Sequence, residues 1–73
     1  MTKLPQVKPR EVITALERLG FARLRTTGSH IRLKDSKGNF VSIAFRNRTL
    51  AKGTLKSILH QAGITLKELL ENL

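Results

Sequence analysis

The chain has 73 residues and no cysteine. That is one domain, burying about 60% of the surface its unfolded chain exposes, with no disulfide framework or zinc–thiolate site to supplement its core. Fourteen Lys plus Arg against five Asp plus Glu leave a net charge of +9, so a polyanion, and nucleic acid above all, is the expected partner.

An anionic membrane fits less well, because no amphipathic stretch pairs a basic face with aromatic anchors. No apolar run approaches the ~20 residues of a span, and residues 1–20 hold no signal-peptide apolar region. The expected location is the cytoplasm. The charge is concentrated: residues 23–56 hold nine of the basic residues and one acid, Asp35.

Met1–Val7 reads as a loose lead-in to a single domain covering residues 1–73. Pro9 suits a first helical turn, where its missing N–H costs nothing. Val12, Ile13, Leu16 and Leu19 then recur at helical spacing, and Gly20 supplies a left-handed stop. Three strands are predicted next, over Phe21–Thr26, Ser29–Lys34 and Phe40–Phe45. Thr27-Gly28 turns the first pair and Asp35-Ser36-Lys37-Gly38-Asn39 the second. After a polar, basic loop, Arg46–Ala51, a second helix carries Leu55, Ile58, Leu59 and Ala62 on one side and stops at Gly63. Thr65-Leu66-Lys67-Glu68 is a capping box opening a short last helix.

The order is α-β-β-β-α with a small terminal helix, an α+β fold. Short turns make the sheet a three-stranded antiparallel meander whose apolar face the two main helices cover. Strand alternation assigns the faces. Ile31, Leu33, Val41, Ile43 and Phe45 are expected inward, with Ala22, Leu24 and Thr26 from the first strand. Arg23, Arg25, His30, Arg32, Lys34 and Ser42 are expected outward. Phe21 and Phe45 are expected in the core. Phe40 has outward parity and could stack a base, but a strand-end Phe tucked under a loop is the simpler reading.

Most enzyme classes fail on inventory. Two distant histidines and one mid-chain aspartate make no metal-ligand set, no glycine-rich phosphate loop is present, and paired carboxylates are absent from the basic region. A histidine among cations remains, and it suits attack of a ribose 2′-OH on the neighbouring phosphate. Histidine titrates near neutrality and takes the proton, while Arg and Lys hold the developing negative charge. No cofactor or metal is required. Three readings stay open for this face: catalysis, RNA binding without chemistry, and docking of an acidic protein. Gly28 is a turn residue that also permits close phosphate approach, with Ser29 beside it. Lys52 opens a helix whose N–H groups could meet phosphate, though capping explains Gly53 and Thr54 equally well.

The residues also carry a resemblance. Glu11-Val12-Ile13 through Leu19-Gly20-Phe21, the element Gly28-Ser29-His30-Ile31, and Leu50-Ala51-Lys52-Gly53-Thr54-Leu55 through Ile58-Leu59-His60-Gln61-Ala62-Gly63-Ile64 resemble the HicA toxins, or YcfA-like family. That resemblance spans nearly the whole chain. It implies a double-stranded-RNA-binding-domain-like fold and ribonuclease activity on messenger RNA that depends on a second-strand histidine, here His30. It also implies a HicB-type antitoxin as partner. On this reading the RNA-binding set is Arg23, Arg25, Gly28, Ser29, Arg32, Lys34 and Lys52, acting on single-stranded regions. One departure is visible. Where the family often shows Pro-x-His after the third strand, this chain reads Ala44-Phe45-Arg46.

Overall fold

The structure is a computed structural model that describes residues 5–73. Its elements are α1 (Pro9–Arg18), β1 (Ala22–Thr27), β2 (His30–Lys34), β3 (Phe40–Ala44), α2 (Lys52–Ala62) and α3 (Leu66–Glu71). The strands form one antiparallel sheet in the order β1-β2-β3. This is the expected α+β architecture, consistent with a double-stranded-RNA-binding-domain-like fold.

The helix boundaries follow local signals. Pro9 opens α1, and the Lys8 N–H donates to the Glu11 carboxylate at 2.9 Å. Gly63 ends α2 in the left-handed region, with φ +69°. At α3 the capping box is reciprocal: the Glu68 N–H donates to Thr65 Oγ1 at 3.1 Å, and the Thr65 N–H donates to Glu68 Oε1 at 3.0 Å. At α2 the cap falls on Ala51, which makes no side-chain bond, so neither Gly53 nor Thr54 caps that helix.

The core is entirely apolar among the described residues. Val12, Ile13 and Leu16 of α1 meet Leu33 of β2, Val41 and Ile43 of β3, Leu55 and Ile58 of α2, and Leu69 of α3. Arg18 closes the far end by donating from Nη1 to the Asn72 carbonyl at 2.8 Å. Val7 is more firmly held than a loose lead-in implies. It is buried, and its carbonyl accepts from the Leu50 N–H at 2.8 Å. Residues 1–4 of that lead-in lie outside the described residues.

β2 and β3 pair without interruption, from His30↔Ala44 to Lys34↔Phe40, and Ile31, Leu33, Val41 and Ile43 face inward as expected. β1 departs from the expected alternation. Ala22 pairs with Lys34 and Arg23 with Leu33, but Thr26 pairs with Ile31 and Thr27 with His30. Leu24 and Arg25 therefore both stand opposite the single residue Arg32, a β-bulge that shifts the strand's phase by one. Ala22 and Leu24 lie on the outer face rather than the inner one. Thr26 keeps the inward side but is exposed, so β1 places none of Ala22–Thr26 in the core.

Candidate nucleic-acid interface

His30 is the first residue of β2, immediately after a two-residue turn. Gly28 takes the first turn position with φ +59°, a conformation glycine adopts without steric cost, and Ser29 the second. The Ser29 carbonyl accepts from the Phe45 N–H at 2.6 Å, extending the ladder one residue past β3 and fixing the turn against it. His30 is exposed, with Ala44 opposite it on β3. That small neighbour leaves the imidazole open from the β3 side.

Register places Arg32 and Lys34 on the same face as His30, at steps of about 7 Å along β2. Arg25 joins them from the bulge opposite Arg32. All three side chains are exposed, and register places no acidic residue on this face. Alternation of period two along β2 brings Arg32, Lys34 and His30 together, as the sequence predicts, and the bulge in β1 adds Arg25.

Arg23 is the exception. The bulge puts it on the Leu33 side of the sheet, where its Nε lies 3.3 Å from Glu17 Oε2 of α1. Its expected place beside Arg25 on the outer face is incorrect, because an inserted residue reverses strand parity. The phenylalanines also depart from expectation. Phe21 is buried, but Phe45 is 46% exposed, and Phe40 is 45% exposed rather than tucked under a loop. The guanidinium carbon of Arg32 lies 6.0 Å from the centroid of the Phe40 ring, at the outer reach of a cation–π contact.

Beyond Ala44 the surface opens into a cleft of about 350 Å³ lined by Pro9, Ala44, Arg46, Arg48, Thr49, Leu50, Ala51 and Thr54. Neither Arg46 nor Arg48 belongs to the RNA-binding set expected from the sequence. Their loop has no periodicity to assign a direction, and only their charge could have drawn notice. Lys52 lies next to this cleft in the first turn of α2, not on the strand face with Arg32 and Lys34. His60, also on α2, is exposed, as its position opposite the apolar stripe implies. Among the described residues no three His, Cys, Asp or Glu side chains gather into a cluster. No described helix is long and apolar enough to cross a membrane.

The arrangement is a hairpin-borne histidine on a cationic sheet face, carried by α-β-β-β-α. A family model described as the HicA toxin of bacterial toxin–antitoxin systems matches residues 9–64, which spans every element except the last helix. The chain belongs to the HicA toxin family. A search of curated proteins returned no match. As a HicA-family chain it is the toxin side of a bacterial toxin–antitoxin pair. In this HicA toxin the chain leaves β3 through Ala44-Phe45-Arg46. Ala44 thus faces His30 across the strands, and Arg46 adds a guanidinium to the cleft.

Proposed function

We propose that this toxin is an endoribonuclease that cleaves single-stranded stretches of messenger RNA, with His30 carrying the proton transfer. The observation that carries the reading is an exposed histidine at the head of β2, on an acid-free face with Arg25, Arg32 and Lys34, in a HicA-family chain. The imidazole takes the proton of a ribose 2′-OH. The 2′-oxygen then forms a bond to the adjacent phosphorus while the bond to the 5′-oxygen breaks, leaving a 2′,3′-cyclic phosphate. The departing 5′-oxygen takes a proton from water or from the same imidazole.

Arg32, nearest along the strand, meets the charge developing on the phosphoryl oxygens. Arg25 and Lys34 hold flanking phosphates. Gly28 and Ser29 shape the turn beside the scissile bond, and Lys52 with Arg46 extends the cationic track past Ala44. Arg23, engaged with Glu17 on the helix side, has no part in this face. With Arg46 where a histidine often stands, His30 is the one imidazole expected at the reaction. A HicB-type antitoxin silences the enzyme by covering the sheet face, and it presents carboxylates there, since burying these guanidiniums unpaired would be costly.

The purified protein is expected to cleave RNA in the presence of a chelator, and His30→Ala to abolish cleavage while remaining folded. Full activity in His30→Ala defeats the assigned chemistry. Wild-type protein that binds RNA but leaves it intact is a binding module using the same face. In either case RNA affinity should fall with salt at a log–log slope of about −2, from three phosphate contacts on a single strand.

A further inference from the structure

The outer sheet face carries an aromatic ring that neither proton transfer nor phosphate neutralisation uses. Phe40 sits at the opposite end of that face from His30, paired with Lys34 and 45% exposed. An aromatic ring kept open to solvent beside two cations has a poor role in a core and a good one under a base. Arg32 already rests its guanidinium 6.0 Å from the ring centroid, so the ring face is accessible to a planar π-system and flanked by charge suited to a phosphate. Base stacking on an aromatic side chain, with Arg or Lys on the backbone, is how sheet surfaces hold single strands.

Resting on the ribonuclease reading above, we infer that Phe40 is the stacking platform for an unpaired RNA base, and that it fixes where along the strand cleavage falls. Register sets the spacing. From His30 to Lys34, opposite Phe40, is four residues of β2, or roughly 14 Å, about two nucleotides of extended strand. A base seated on Phe40 thus places a phosphate about two nucleotides away beside His30. Lys34, across from the ring, takes the phosphate of the stacked nucleotide. Arg32, displaced from the ring by the base, turns to the scissile phosphate beside His30. A duplex cannot supply this base, because its bases are stacked on their neighbours. The platform therefore selects single-stranded RNA.

The chain has no Trp and no Tyr, so Phe40→Trp introduces a single fluorophore. The probe is a short, mixed-sequence single strand, 2′-O-methylated throughout so that it binds without being cut. Phe40→Ala is expected to weaken its binding about tenfold, within the range for one base stacked on one ring. Phe40→Trp is expected to bind as wild type with its fluorescence quenched. Replacing single nucleotides by abasic sites should weaken wild-type binding at one position and leave Phe40→Ala indifferent there. On a cleavable strand that position should lie about two nucleotides from the cut.

Unchanged affinity in Phe40→Ala, or an unquenched tryptophan on a strand that binds, overturns the platform while leaving His30 chemistry intact. If Phe40→Ala weakens antitoxin binding and not RNA binding, the ring belongs to the protein partner and the inference is wrong. Should the alanine variant fail to fold, Phe40→Trp fluorescence decides. A wild-type chain that binds no RNA overturns the platform and the ribonuclease reading together, whereas binding without cleavage overturns only the latter.

Discussion

The two hairpins of the sheet share β2 and are otherwise built in opposite ways. The β2–β3 hairpin pairs five residues with five in unbroken register and buries Val41 and Ile43 under α1 and α2. Its connection is pinned by Asp35. One carboxylate oxygen accepts from the Lys37 N–H at 3.0 Å and the Asn39 N–H at 2.7 Å, and the other from Asn39 Nδ2 at 2.8 Å. The outer edge of β3 is shielded as well, since Gln61 of α2 accepts from the Ser42 N–H at 3.5 Å. The β1–β2 hairpin has a two-residue turn, a bulge in the middle, and none of Ala22–Thr26 buried. One hairpin is held by packing, the other by its ladder and its turn. The candidate catalytic residue stands at the head of their common strand, on the side of the unpacked hairpin's turn.

Substitutions test that contrast. The largest effect is expected at Ile43, 1% exposed at the centre of the packed hairpin. Ile43→Ala should cost about 2–5 kcal/mol in urea unfolding, a large share of the stability of so small a domain. Gly28→Ala should cost about 1 kcal/mol in the same measurement. Nothing lies within 4 Å of an added Cβ, so the whole penalty is the left-handed backbone. Leu24→Ala, on the bulge and 54% exposed, should change stability by no more than about 0.5 kcal/mol. If Leu24→Ala costs as much as Ile43→Ala, the division between a packed and an unpacked hairpin is wrong.

The smallest effect concerns acid. The Asn39 side-chain hydrogen bond leads in holding the Asp35 carboxyl below its ordinary value of 3.8; desolvation opposes it, and the Asn39 and Lys37 N–H groups and the Lys37 charge add to the lowering. A carboxyl whose folded pKa is depressed lends stability above its unfolded pKa and withdraws it as pH falls through the folded value. Thermal stability should therefore decline on acidification below about pH 4, and Asp35→Asn should decline less steeply over the same range. Equal slopes for the two proteins would show that the pinned turn adds no pH dependence.

What could be read from the residues follows the same division. Period two identified the inner residues of β2 and β3 because a helix covers that face and forces alternation. It also put His30, Arg32 and Lys34 on one side correctly. In β1 the same rule misplaced Arg23, Ala22 and Leu24. A bulge is a property of pairing, and Ala-Arg-Leu-Arg-Thr-Thr alternates whether or not a residue is inserted. Phe40 keeps the outward side that its parity gives it and stays open there, whereas Phe45 lies one residue past the end of β3, where alternation no longer assigns a face. Arg46 and Arg48 reach the cleft through a loop with no regular geometry to project from.

A strand that buries no described side chain and is bonded along one edge only can detach without disturbing the rest of the fold. Opening it exposes little apolar surface, so its amides should exchange with solvent well before those of β3, through fluctuations far smaller than global unfolding. On that expectation the imidazole of His30 stands beside the first segment of the sheet to open. Whatever settles on the outer face, nucleic acid or antitoxin, would slow that breathing. Deuterium uptake along Ala22–Thr27 would thus register occupancy of the site without a label, an activity or a substituted residue.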